Sequence, residues 1–82
     1  MLIRSPKELA LFVMSQRKAL KLSQSEMGGL VGLQQKTISL FENKPENIQL
    51  DTLFRILSAV ELDLNIVSKK TSSTERQWTE EW

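Results

Sequence analysis

The chain contains no cysteine, no histidine and no tyrosine. Without cysteine there is no disulfide staple and no thiolate metal site. Without histidine the commonest general base and the commonest metal ligand are both missing. No nucleophile–base pair, metal cluster or phosphate-binding loop is visible either, so a protein that is not an enzyme, with no metal and no cofactor, is expected. Nor is there any apolar run approaching the roughly 20 residues that span a membrane. The start, MLIRSPKEL, lacks the sustained apolar core of a signal peptide. A cytoplasmic protein, associated with the nucleoid if it binds DNA, is the expectation.

What is present fits one small domain. Eighty-two residues bury a limited fraction of their surface, and chains this short often gain stability by oligomerising. The net charge of +1 is unevenly spread. Residues 1–70 carry ten Lys and Arg against seven Asp and Glu, a balance of +3; residues 71–82 carry one Arg against three Glu, a balance of −2. A mildly basic body with an acidic tail is compatible with a nucleic-acid partner without requiring one.

Helix signals recur along the body. Ser5-Pro6 reads as an N-cap followed by proline at the first helical position, and Glu8 could complete a capping box. The helix should run to about Leu20, with Leu9, Phe12, Val13 and Leu20 as its inner stripe. Leu11 and Met14 fall outside it, as surface apolars or as contacts to a partner. Ser23-Gln24-Ser25-Glu26 is a second capping box, opening a helix over about 24–31 with Met27, Leu30 and Val31 inward. Gly28 and Gly29 each cost roughly 1 kcal/mol against alanine inside a helix. Close approach by a neighbouring helix is the expected reason. Gly32 supplies the left-handed residue that ends the helix.

A third helix follows, with Gln34 at or near its N-cap. In Gln34–Phe41, Ile38 and Phe41 lie on one side, while Gln35, Lys36, Ser39, Leu40 and Asn43 spread over the other. Asn43–Asn47 should be a loop. A fourth helix covers about Leu50–Val60, with Leu53, Phe54, Leu57 and Val60 at helical spacing and Ile56 beside them. The period then changes to two: Leu62, Leu64 and Ile66 alternate with Asp63, Asn65 and Val67, as in a half-buried strand. A lone strand needs a partner for its backbone groups, and the sequence offers no second one. Antiparallel pairing with the same strand of a second copy is the economical solution; a distorted fifth helix is the alternative. Residues 68–82 read as a flexible polar tail that carries both tryptophans, Trp78 and Trp82. Tryptophan dominates binding hot spots, so a partner-binding motif is expected there.

The expected fold is therefore mainly all-α, with a C-terminal strand that pairs across a homodimer. Residues 1–67 form the folded domain. A helix ending at a glycine turn, then a helix with a polar outer face, is the sequence form of a helix-turn-helix, here residues 23–43. The run LSQSEMGGLVGLQQKTISLFEN resembles the phage repressor/Cro (Xre-type) family. The matching residues are Ser23-Gln24, Gly32, Ile38, Phe41 and Glu42-Asn43, which implies a four-to-five-helix lambda-repressor-like domain. SPKELALFVMSQRK, LSQSEM, TIS-x-FEN-x-P-x-N, ILSAVELDLNI and the terminal Glu81-Trp82 together are similar to the HipB-type antitoxins. That family consists of dimeric operator-binding repressors that neutralise the HipA serine/threonine kinase toxin. The resemblance implies double-stranded operator DNA, a HipA-like kinase and a second copy of the chain as partners. A neutraliser with little DNA binding and a stand-alone phage-like repressor are the competing functions.

The resemblance also implies residue roles. Gln24 matches a phosphate-contacting position at a helix N-terminus, although it could simply be exposed beside the Ser23 cap. Gln34, Gln35 and Lys36 match DNA-contacting positions. Glutamine can pair with adenine N6 and N7, and lysine can donate to guanine or phosphate. Ser39 can reach a base edge or the backbone; Leu40 could touch a thymine methyl or be incidental. Thr37 can bond phosphate or its own helix carbonyl. Asn43 and Lys44 suit phosphate contacts. Arg17 and Glu42 match a structural ion pair, with a direct Arg17–phosphate contact as the alternative. Leu62, Leu64 and Ile66 match the dimerisation strand, and Trp82 matches a tryptophan that docks in the toxin. Lys36 and Gln34 depart from the family's small and basic residues at those positions, so the operator can differ.

Overall fold

Four helices and one short 3-10 turn make up the fold in a computed structural model, which describes residues 2–69. They are α1 (Pro6–Ala19), α2 (Gln24–Leu30), α3 (Gln35–Asn43), the turn Pro45–Asn47 and α4 (Leu50–Ala59). The Ser5 hydroxyl accepts from the Glu8 N–H at 3.1 Å, which starts α1. The Glu8 carboxylate does not close the expected box on Ser5; it accepts from the Arg4 N–H, one residue earlier, at 2.7 Å. On α2 the box is complete: Ser23 Oγ accepts from the Glu26 N–H at 3.0 Å, and Glu26 accepts from the Ser23 N–H at 2.8 Å.

The core is built from Ala10 and Val13 of α1, Met27 of α2, Ile38 and Phe41 of α3, and Ile56, Leu57, Ala59 and Val60 at the end of α4. Four side chains differ from the periodicity, the first being Leu20, which caps α1 and is exposed instead of completing its inner stripe. The buried line of α1 passes through Ala10, Val13 and Arg17, which leaves Phe12 half-buried. Leu30 is 63% exposed, because the inward line of α2 runs between Met27 and Val31 through Gly28. On α4, Leu53, Ile56, Leu57 and Val60 form the i, i+3, i+4, i+7 stripe. Phe54 stands one position off that stripe and is 51% exposed.

Both α1 and α4 end on a non-glycine residue in the left-handed region, Lys21 (φ 61°) and Glu61 (φ 60°). Each is followed by a leucine whose N–H reaches back into the helix. Leu22 donates to the Arg17 carbonyl at 3.1 Å and Leu62 donates to the Leu57 carbonyl at 2.9 Å. The geometry is that of the Schellman motif, with the following leucine packed against the core as its hydrophobic closure. Leu62 therefore belongs to the edge of the core as well as to the segment that follows.

Residues 62–67 are not a fifth helix, and no strand occurs among the described residues. A single chain offers this segment no ladder partner, so none forms within it. Leu64, Ile66 and Val67 project with 48%, 83% and 60% exposure. Leu64 lines a groove together with Phe54, Leu57, Ser58 and residues 61–63. Trp78 and Trp82 lie outside the described residues.

The two mid-helix glycines have different causes. A Cβ on Gly28 would lie 2.4 Å from the Leu33 carbonyl oxygen, whereas a Cβ on Gly29 meets nothing within 4 Å. The close approach at Gly28 is thus by the turn after α2, not by another helix. The Leu33 N–H donates to the Gly28 carbonyl at 2.8 Å and fixes that turn. Gly28→Ala is expected to destabilise the fold, while Gly29→Ala should stabilise it by about 1 kcal/mol through helix propensity alone. Urea midpoints that move in opposite directions for the two variants would bear this out; equal shifts would refute it.

Candidate nucleic-acid interface

Arg17 is the buried charged residue of the core, 9% exposed. It lies on the inner line of α1 one turn from Val13, so its guanidinium must find partners inside the molecule. It has three. Nε donates to Glu42 Oε2 at 2.7 Å, Nη2 donates to Glu42 Oε1 at 3.1 Å, and Nη1 donates to the Leu22 carbonyl at 2.9 Å. The planar fork matches the carboxylate with two nearly parallel bonds, a geometry lysine cannot reproduce. All three nitrogens of the Arg17 guanidinium thus donate inward, to Glu42 and to the Leu22 carbonyl.

Glu42 passes the connection onward. Its Oε1 also accepts from Gln24 Nε2 at 2.9 Å, and Gln24 Oε1 accepts from Gln35 Nε2. A continuous polar chain therefore runs from α1 through the end of α3 to the first residue of α2 and back to the first residue of α3. Gln24 is therefore not an idle exposed residue: its amide is bonded on both sides, with one N–H left over. It is half-buried and ties the start of each helix of the helix-turn-helix to the other. No buried side-chain nitrogen or oxygen among the described residues lacks a partner.

The outer face of α3 is the surface this chain of bonds supports. Ile38 and Phe41 are 0% and 2% exposed, and the opposite side presents Lys36, Ser39, Leu40 and Asn43. Gln34 is the N-cap of α3 but makes no side-chain cap bond, so its amide is available outward. Gln35 and Lys36 are exposed in the first turn, and Thr37 is half-buried on the flank. No bond from the Thr37 hydroxyl back to its helix occurs among the described residues. Asn43 folds back, its Nδ2 donating to the Ser39 carbonyl at 2.8 Å and touching Ser39 Oγ at 3.4 Å. Lys44 closes the helix with its backbone N–H on the Leu40 carbonyl at 2.7 Å, and its side chain is exposed.

The Gln35 amide has two N–H groups and one carbonyl oxygen. One N–H is given to Gln24, and the other N–H and the oxygen are left for another partner. The sequence did not show this linkage. Gln24 and Gln35 stand eleven residues apart with no periodic relation, and the Leu22 carbonyl that completes Arg17 is a backbone atom that no side-chain pattern can signal. Among the described residues no group of acidic or His/Cys side chains could hold a metal ion, and no helix is long and apolar enough to cross a membrane.

Replacing Arg17 would leave the Glu42 carboxylate, whose side chain is 4% exposed, without its cation. Breaking one side of a buried pair costs about 3–5 kcal/mol, while removing both partners for apolar groups is far milder. Arg17→Met is therefore expected to destabilise strongly in urea titration, and Arg17→Met with Glu42→Leu to recover most of the loss. A single variant as stable as the parent would refute the pair's role.

Three comparisons with known proteins agree with this geometry. A helix-turn-helix family model matches residues 13–67. Antitoxin HipB from Escherichia coli is 39% identical over 82 residues, covering 98% of this chain and 93% of the relative. Antitoxin HipB from a second Escherichia coli strain is 40% identical over 73 residues, covering 89% of this chain and 78% of the relative. Among solved structures, a HipB–O4 20mer complex superposes with a TM-score of 0.81 at 38% identity, covering 84% of this chain and 97% of that one. A HipA–HipB–O2–O3 complex matches equally, with a TM-score of 0.81, 38% identity and the same coverage. Nearly full-length likeness in sequence, joined to the same helical fold, places this chain in the HipB antitoxin family of helix-turn-helix proteins.

Proposed function

We propose that this chain is the antitoxin of a type II toxin–antitoxin pair. It acts as a homodimer that binds operator DNA, represses transcription, and holds a HipA-like serine/threonine kinase toxin. The observation that carries the DNA half of this reading is the exposed polar face of α3, fixed from beneath by the Arg17–Glu42–Gln24–Gln35 chain. Relatives of the same fold are solved with a 20mer and with HipA, which supports both halves.

In this mechanism α3 lies in the major groove with Gln34, Gln35, Lys36 and Ser39 toward base edges. Gln24, Thr37, Asn43 and Lys44 sit around it and fix register on phosphates. Such contacts position the helix but carry no sequence information. One copy reads half a site. The second copy comes through the segment 62–67, where Leu64 and Ile66 extend from the half-buried Leu62 and the open backbone pairs with its symmetry mate. Phe54, exposed on the groove beside Leu64, lies where the partner strand would cover it. Trp82 serves as the anchor for the kinase; this role rests on the sequence, since Trp82 is outside the described residues.

Each part has its own measurement. Gln35→Ala and Lys36→Ala should each weaken operator binding at fixed salt. The loss corresponds to about 1–3 kcal/mol per bidentate base contact, read by titration; unchanged affinity would remove α3 from the interface. Leu64→Arg should run as a monomer in solution-mass measurements, and a persistent dimer would reject the strand as the main contact. Removing residues 71–82 should abolish kinase capture while leaving DNA affinity near that of the full chain. Retained capture would dismiss the Trp82 anchor.

A further inference from the structure

We propose that Leu40 is a base-reading residue, whose side chain contacts the 5-methyl group of a thymine close to the base pair addressed by Lys36. This rests on the DNA-binding reading of α3 and names one of the features it recognises. The outward face of α3 holds four residues opposite Ile38 and Phe41, and their side chains are not equally free. Asn43 is folded onto Ser39, and Ser39 is half-buried beneath it. Gln35, on the edge of the face, has given one N–H to Gln24. Lys36 and Leu40 remain, stacked one above the other at i, i+4. Leu40 is 58% exposed, although its neighbour Phe41 is 2% exposed.

The chemistry of the major groove supplies an occupant for an apolar tip in that place. Of the four bases only thymine presents a methyl group there, on C5, and apolar side chains are what contact it. Four residues of helix rise about 6 Å, close to two base steps of about 3.4 Å each. A helix lying along the groove therefore places Leu40 about two base pairs from the pair that Lys36 reaches. The contact also accounts for a large apolar residue at the middle of an otherwise polar face, where it is more than half exposed.

The test uses the full chain and DNA that differs by single methyl groups. The binding motif is first selected from a random duplex pool at fixed salt with the parent protein. Each thymine of the selected half-site is then replaced by uracil, which removes only the methyl. One thymine per half-site is expected to lose about fourfold in affinity on replacement, the equivalent of one buried methyl group. Leu40→Ala should bind thymine and uracil equally at that position, and Leu40→Met should restore the preference. Parent protein insensitive to uracil throughout, or a Leu40→Ala variant with the same uracil sensitivity as the parent, overturns the inference. The latter is the result if Leu40 instead packs against a protein. Failure of the parent to enrich any motif overturns the DNA-binding reading itself, and this inference with it.

Discussion

The pairing of Arg17 with Glu42 is the constraint on which the rest of this small domain depends. Both charges are withdrawn from water, so each is costly without the other and every remaining donor and acceptor must be satisfied. The Leu22 carbonyl and the Gln24 amide do this. Three helices meet at one carboxylate as a consequence: α1 brings the guanidinium, α3 brings Glu42, and α2 brings Gln24. A wholly apolar replacement could be as stable, but it would not fix the rotation of α3 about its own axis. A directional bond at the end of the helix, and a second through Gln24 at its start, do fix it.

That rotation matters because affinity for DNA is sensitive to the cost of ordering side chains. Immobilising a rotamer-rich side chain at an interface costs about 0.5–1.5 kcal/mol. Gln35 is already held by Gln24 in the free protein, so part of that cost falls on folding and not on binding. The arrangement places the strongest restraint on the first turn of α3, where a helix entering the major groove has most of its base contacts. Further along, Asn43 restrains Ser39 and the end of the helix in the same way. Gly28 contributes from the opposite side, because only a residue without Cβ lets the Leu33 carbonyl close down on α2. The turn between the two helices is therefore set by a steric contact at Gly28 as well as by the left-handed Gly32.

Much of this was legible in the sequence, and the parts that were not share a cause. Capping residues, the glycine turn and the i, i+3, i+4 stripes are local signals, and they located all four helices to within a residue or two. The core residues Val13, Met27, Ile38, Phe41 and Leu57 follow from the same periodicity. Phe54 and Leu30 were misplaced because hydrophobicity says that a side chain wants burial, not which of two adjacent angular positions is buried. That choice depends on where the neighbouring elements lie. The Gly28 contact and the Gln24–Glu42–Gln35 links are tertiary facts between residues with no shared period. The Arg17–Glu42 pair was reached through family resemblance, not from spacing. Residues 62–67 show a different limit: a period of two announces a strand, but a strand exists only with its partner, and a single chain does not contain one.

The distribution of exposed apolar side chains then separates the chain's tasks. Phe54, Leu64, Ile66 and Val67 gather at the α4 groove and the segment beyond it, where a second copy would bury them together. Leu40 stands on α3, a face where burial against protein would cover the polar groups that the Arg17 chain holds outward. The two sets cannot serve one surface. Placing the apolar cluster at one end and the polar readers on α3 lets a dimer form without occupying the DNA-facing helices. Two copies of α3 can then act together, and each good base contact in one half-site is repeated in the other. On the proposed reading, specificity in so short a helix comes from that doubling, which would make the segment 62–67 as much a part of DNA recognition as the outer face of α3.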